Sequence, residues 1–153
     1  MKTQSQLHRL PYRAEQIFDL VADIERYPEF LPQWTFARIE HQLDGRLEVL
    51  QEIDLGFRQL RFHSQACMHR PRQIRITTTQ APFRLLAVDW QFEATAPMEC
   101  LVKLKVEIDM FSPILEAAAV SLTRLFAGDV VYRFRQRAEQ RYGVPGTRKQ
   151  LDN

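Results

Sequence analysis

Residues 99–111 read ECLVKLKVEIDMF, and at Ser112-Pro113 the period of the chain changes. Cys100, Val102, Leu104, Val106, Ile108 and Met110 alternate with Leu101, Lys103, Lys105, Glu107 and Asp109, which describes a strand with one apolar and one largely charged face. Serine as N-cap, proline at the first helical position and Glu116 in the first turn then predict a helix. Gly143 and Pro145 end it. About thirty residues of helix span roughly 45 Å at 1.5 Å per residue. Ile114, Leu115, Ala118, Leu122, Leu125, Phe126, Val130 and Phe134 supply its apolar side. Gly128, about 1 kcal/mol worse than alanine in a helix interior, predicts a bend or a close approach. A sheet with one apolar face needs a cover, and this helix is long enough to supply it. The sheet must then curl around the helix, leaving a hydrophobic space of the kind in which small-molecule sites form.

The rest of the chain fits that frame. A first strand ends near Leu10-Pro11, and Ala14, Ile17, Phe18 and Val21 mark one face of a short helix. The stretch ERYPEFLPQW, Glu25 to Trp34, predicts a second short helical turn opening into a bend, because its prolines lack the backbone donor and disfavour helix before them. Leu47 to Leu55 alternates as a strand. If Gly56-Phe57 is a two-residue hairpin loop with glycine first, Leu55 pairs with Arg58, Ile53 with Leu60, Gln51 with Phe62, Val49 with Ser64 and Leu47 with Ala66. Glu52 then faces Arg61, an opposite-charge pair. Further strands are predicted over Gln73 to Gln80 and Leu85 to Thr95, with Leu86, Val88, Trp90 and Phe92 on one side. Asp89 points away from that side.

With 153 residues the chain has the size of one domain, 1–153, with a core over about 5–143 and a tail over 144–153. Hydrophobic residues make up 45% and charged residues 26%, a balance that excludes disordered and membrane-spanning classes. MKTQSQLHRL has no apolar h-region, so neither a secretory signal nor a transit peptide is read and a cytoplasmic location is expected. Cys67 and Cys100 are expected to be reduced, and no histidine stands at metal-ligand spacing from either. A formal charge of +2 does not call for DNA. The cations are uneven, however: Arg58, Arg61, Arg70, Arg72 and Arg75 form one group, and Arg133, Arg135, Arg137, Arg141, Arg148 and Lys149 another.

Two stretches carry a family resemblance. LVADIERYPEFLPQW, Leu20 to Trp34, and APFRLLAVDWQF, Ala81 to Phe92, are similar to motifs of the START and polyketide-cyclase superfamily. Within it the chain resembles the group of coenzyme-Q-binding proteins and ribosome-association toxins, from about Leu10 to Tyr142. Ala81 stands where that family usually has glycine. The resemblance implies an α+β helix-grip (START/Bet v 1-like) fold: a curved antiparallel sheet around a long C-terminal helix, with two short helices after the first strand. It also implies a cavity between sheet and helix holding ubiquinone or a similar isoprenoid lipid.

On that reading Tyr27, Phe30, Leu31, Pro32 and Trp34 line or cap the cavity mouth. Phe62, Phe83, Leu86 and Trp90 line it from the sheet, and Leu115, Ala118, Leu122 and Phe126 from the helix. The alternative is that these residues simply close the core. Gln51, Ser64 and Thr78 fall on inner faces, where unpaired burial costs about 1–3 kcal/mol. Each therefore needs a partner: a ligand carbonyl, a buried water or neighbouring backbone.

No nucleophile elbow, phosphate-cradling glycine loop or metal spacing is present, so no catalytic residue is assigned and an enzyme is not expected. The leading expectation is a lipid-binding protein that delivers the quinone for respiratory electron transfer. The alternative is a ribosome-association toxin that binds the large subunit and blocks subunit joining. A polyketide cyclase or dehydrase is the weaker third reading. Arg133, Arg137 and Arg141 offer a basic surface for ribosomal RNA or for peripheral contact with an anionic inner membrane. Favourable interaction with the helix macrodipole also accounts for them.

Overall fold

The computed structural model describes residues 1–145. The rest of the tail, with Arg148 and Lys149, lies outside the described residues. Among the described residues seven strands are present: β1 (Lys2–Leu10), β2 (Trp34–Leu43), β3 (Arg46–Asp54), β4 (Gln59–His69), β5 (Gln73–Thr78), β6 (Phe83–Ala96) and β7 (Glu99–Met110). They form one curved antiparallel sheet in the order β1-β7-β6-β5-β4-β3-β2. Helix α1 (Ala14–Ala22) and a 3-10 helix (Ile24–Glu29) separate β1 from β2. After β7 come a 3-10 turn (Pro113–Leu115), α2 (Glu116–Arg124), a π-turn (Leu125–Asp129) and α3 (Val130–Tyr142), in one continuous helical run.

The register follows the side-chain chemistry. Leu47, Gln51 and Ile53 lie opposite Ala66, Phe62 and Leu60, as the hairpin argument requires. Leu55 N donates to Arg58 O at 2.9 Å across a loop in which Gly56 has φ of 91°. Positive φ is cheap only for glycine, so Gly56 fixes this turn. Arg61 reaches Glu52 at 3.4 Å and Arg70 reaches Asp19 at 2.9 Å, so part of the first arginine group is spent on ion pairs. Asp89 sits on the outer face, where Gln73 Nε2 donates to its Oδ1 at 2.8 Å.

Strand β2 is not predicted by the sequence pattern between Trp34 and Leu47. Bulges between Trp34 and Phe36 and between Ile39 and His41 break its alternation. The hairpin signal is nevertheless present at Asp44-Gly45, where φ of 42° and 77° matches the turn that Asp-Gly favours.

The helix begins as expected, with Ser112 Oγ accepting from Ile114 N at 3.2 Å, but it differs in two places. Ile114 is 84% exposed rather than part of the apolar side, because the 3-10 turn presents a different face from the α-helix that follows. Gly128 lies in the π-turn. A Cβ there would meet nothing within 4 Å, so the close approach considered for it is not found. Ala81 is not among the positive-φ residues; its turn is made with a cis Ala81–Pro82 bond. At the C-terminal end Gly143 N donates to Glu139 O, and the Tyr12 and Tyr142 hydroxyls bond Gly143 O and Gln16 O, tying α3 to α1.

Candidate functional site

The space between sheet and helix is lined by rings. Phe134 of α3 is the hub: its centroid lies 5.5 Å from Tyr27, 5.1 Å from Phe30 and 5.4 Å from Trp90, all near edge-to-face. Trp34 stands 6.1 Å from Tyr27 and 5.9 Å from Phe126. Such pairs contribute about 0.5–1.5 kcal/mol beyond area burial. The YPEFLP segment is thus the wall that joins the 3-10 helix to α3, and its aromatic surface is largely spent on packing.

An interior cavity of about 30 Å³ remains, room for about one water. Of the sequence-predicted residues, Tyr27, Leu31, Trp34, Phe62, Leu86, Trp90, Phe126 and Gln51 converge on it. Others do not. Phe83 is fully buried but packs on Phe62 at 5.0 Å, outside the lining. Ala118 and Leu122 are buried under α2, and Leu115 is only partly buried at the helix start. Phe30 packs on Phe134 behind the wall, and Pro32 is exposed on the outside. Ile53, Ile76, Val88, Val130 and Phe134 complete the lining. Phe134 was read from the sequence only as apolar helix side; its spacing of four, then four, from Phe126 through Val130 is the signal that could have placed it in the lining.

The buried polar groups find one another. Trp34 Nε1 donates to Gln51 Oε1 at 2.9 Å, and Gln51 Nε2 donates to Ser64 Oγ at 3.0 Å. For Gln51 and Ser64 the partners are therefore side chains, where a ligand carbonyl, water or backbone was expected. Thr78 stands apart, its Oγ1 accepting from Gln80 N at 3.0 Å. Tyr27 donates to Val21 O, and burial pushes its hydroxyl pKa well up. Among the described residues no carboxylate or imidazole lines the cavity.

Outside the wall, an open groove of about 590 Å³ runs between Pro32, Gly56, Arg124 and Asp129. Leu31 and Phe126 line the cavity while their neighbours Pro32 and Leu125 line the groove, so the two spaces flank the same stretches of chain. One of these stretches is the π-turn, and the Phe126 carbonyl there accepts from Gln6 Nε2 of β1 at 2.5 Å.

The basic surface is less free than its sequence suggests. Arg137 is 15% exposed, bonded to Glu29 at 2.7 Å and stacked 5.0 Å over Phe30, and its guanidinium holds the Glu29 carboxyl below the usual range. Arg133 lies 3.6 Å from Asp129. Arg141 is exposed. Both cysteines are free thiols, and burial pushes Cys100 up to about 11. No described helix is long and apolar enough to cross a membrane.

A curved antiparallel sheet gripping a C-terminal helix, with an apolar interior between them, defines the START/Bet v 1-like helix-grip class. Two solved structures share it over nearly the whole chain. A START superfamily protein from Mycobacterium smegmatis superposes with a TM-score of 0.79 at 18% identity, covering 90% of this chain and 97% of that one. The Zhui aromatase/cyclase of a Streptomyces species superposes with a TM-score of 0.82 at 15% identity, covering 95% and 98%. The polyketide cyclase / dehydrase and lipid transport family model matches residues 10–135, and the chain belongs to that family. A relative in Pseudomonas aeruginosa, named ribosome association toxin RatA, is 31% identical over 134 residues, 88% of this chain and 93% of its own length.

Proposed function

We propose that this chain is a non-catalytic protein that associates with the large ribosomal subunit and blocks subunit joining. The observation that carries the reading is the similarity, over 88% of the chain, to a protein named for ribosome association. Two features support it. The interior is filled by the chain's own rings, and the cavity lining offers no carboxylate or imidazole for acid–base chemistry. Exposed Arg124 and Arg141 are suited to phosphate contacts. Reversal of Arg137 would break its contacts with Glu29 and Phe30 and perturb the fold. Light scattering of purified subunits tests the proposal: wild-type chain lowers the joined fraction, and Arg124→Glu with Arg141→Glu restores it. Unchanged joining at excess wild-type chain would remove this reading.

A second reading, that ubiquinone or a similar isoprenoid lipid binds between sheet and helix in support of respiration, is favoured by the groove and the cavity flanking the same stretches of chain at the π-turn. The head and tail enter only if the Leu31–Phe126 wall swings out at the π-turn, since the closed cavity holds about 30 Å³. Organic extraction of the chain from a quinone-producing host gives a stoichiometric lipid on this reading and none otherwise.

A further inference from the structure

We propose that Glu40, Glu48 and His63 form a binding site for a divalent transition-metal ion of the zinc class on the outer face of the sheet. The three residues come from adjacent strands β2, β3 and β4, and one ligand atom from each lies within 4.8 Å of the others. Their convergence depends on a bulge. Ile39 pairs with Val49 and His41 with Glu48, which leaves Glu40 as an extra residue. Bulges re-aim side chains in this way. Glu40 reaches across β3, and its Oε1 sits 2.8 Å from His63 Nε2.

The histidine asks for a cation. Gln80 Oε1 accepts from the His63 backbone N–H at 2.7 Å, which fixes the end of the amide that faces the ring. The same oxygen is 3.3 Å from Nδ1. His63 therefore meets acceptors at both ring nitrogens, and a neutral imidazole donates to only one. The second acceptor needs another positive species, a second ring proton or a metal ion. With Nδ1–H turned to Gln80, the Nε2 lone pair is free for a metal, an arrangement in which an outer oxygen orients a ligating histidine. Tetrahedral metal–ligand bonds of about 2.0–2.2 Å place neighbouring ligand atoms about 3.3–3.6 Å apart, so the Nε2–Oε1 contact of 2.8 Å opens on binding as the ion takes the place of the direct contact. Arg38 holds the other Glu40 oxygen at 2.8 Å and orients the carboxylate. Glu48 makes no ion pair with a described residue and needs only a side-chain shift to become the third ligand. An open hollow of about 410 Å³ beside Glu48, His63 and Gln80 leaves the remaining positions to water. Imidazole with two carboxylates suits zinc, cobalt or nickel better than magnesium or calcium. Bound metal would pin edge strand β2 to β4.

The site is independent of the ribosome and lipid readings. Its test is titration of the metal-free full chain with zinc chloride against a chromophoric chelator. One equivalent is expected to bind, at least tenfold more weakly in Glu48→Gln and His63→Asn, and roughly 10–100-fold more weakly in Gln80→Leu. His41→Asn and Cys67→Ser should bind as wild type. Glu48→Gln leaves the His63–Glu40 contact intact, so it remains informative if the His63 variant fails to fold. Wild-type affinity in Glu48→Gln, or loss of binding in Cys67→Ser, would overturn the proposal.

Discussion

The two halves of the C-terminal helix meet the sheet in different ways. Helix α2 buries Ala118, Ala119 and Leu122 and lies against β1 and β7. Helix α3 buries Val130, Val131, Phe134 and Ala138, and meets α1 and the rings of the 3-10 segment. Small residues let α2 approach the sheet, whereas bulky ones hold α3 off it and the space is filled by interlocking aromatics. The π-turn joins the halves, and such turns are frequent at functional sites. The contrast teaches that the interior is closed by a few rings on one side of a joint, while the other side is a close-packed floor.

Truncating the hub should break the contrast most. Phe134→Ala is expected to cost about 3–5 kcal/mol in denaturant unfolding and to enlarge the cavity enough for an apolar dye to bind; a cost below 1 kcal/mol would mean the rings do not close the interior. On the α2 side the sensitive change is the opposite one. Ala118→Leu should cost about 1–3 kcal/mol through overpacking, and a neutral result would show that α2 is not seated closely. Gln6→Ala removes the donor to the Phe126 carbonyl and should cost about 1 kcal/mol, with faster hydrogen exchange confined to the π-turn. Exchange unchanged there would separate Gln6 from the joint.

The smallest effect concerns the Glu29–Arg137 pair. Its carboxyl titrates below the ordinary value of 4.5 in the folded chain because Arg137 bonds it. The contribution is therefore present above that pH and lost as pH falls through the lower folded value. Wild type should lose slightly more stability on acidification than Glu29→Gln, and parallel acid limbs would dismiss the pair.

Much of the fold was legible because periodicity reports burial. The six alternating apolar residues of β7 and the Ser-Pro start at 112–113 defined the sheet face and its cover, and the Gly56-Phe57 loop set the β3–β4 register. Strand β2 was hidden because two bulges cancel the period of two, although Asp44-Gly45 marked its end. The site was partly legible. Gln51 and Phe62 converge because alternation places them inward, and Trp34 was legible only through the resemblance; an apolar inner face does not distinguish cavity lining from floor, so Phe83, Ala118 and Leu122 were grouped with them. Arg137 read as surface charge because its partners, Glu29 and Phe30, lie 108 and 107 positions away in the chain. The Glu40–Glu48–His63 cluster was invisible for the same reason: its spacing exists only once three strands are paired.

The most direct test of a surface-acting chain is sedimentation of the full-length protein with purified large ribosomal subunits across a salt series. Co-migration at low salt that falls steadily as salt rises is the predicted result. A chain that stays at the top of the gradient even at low salt would contradict it.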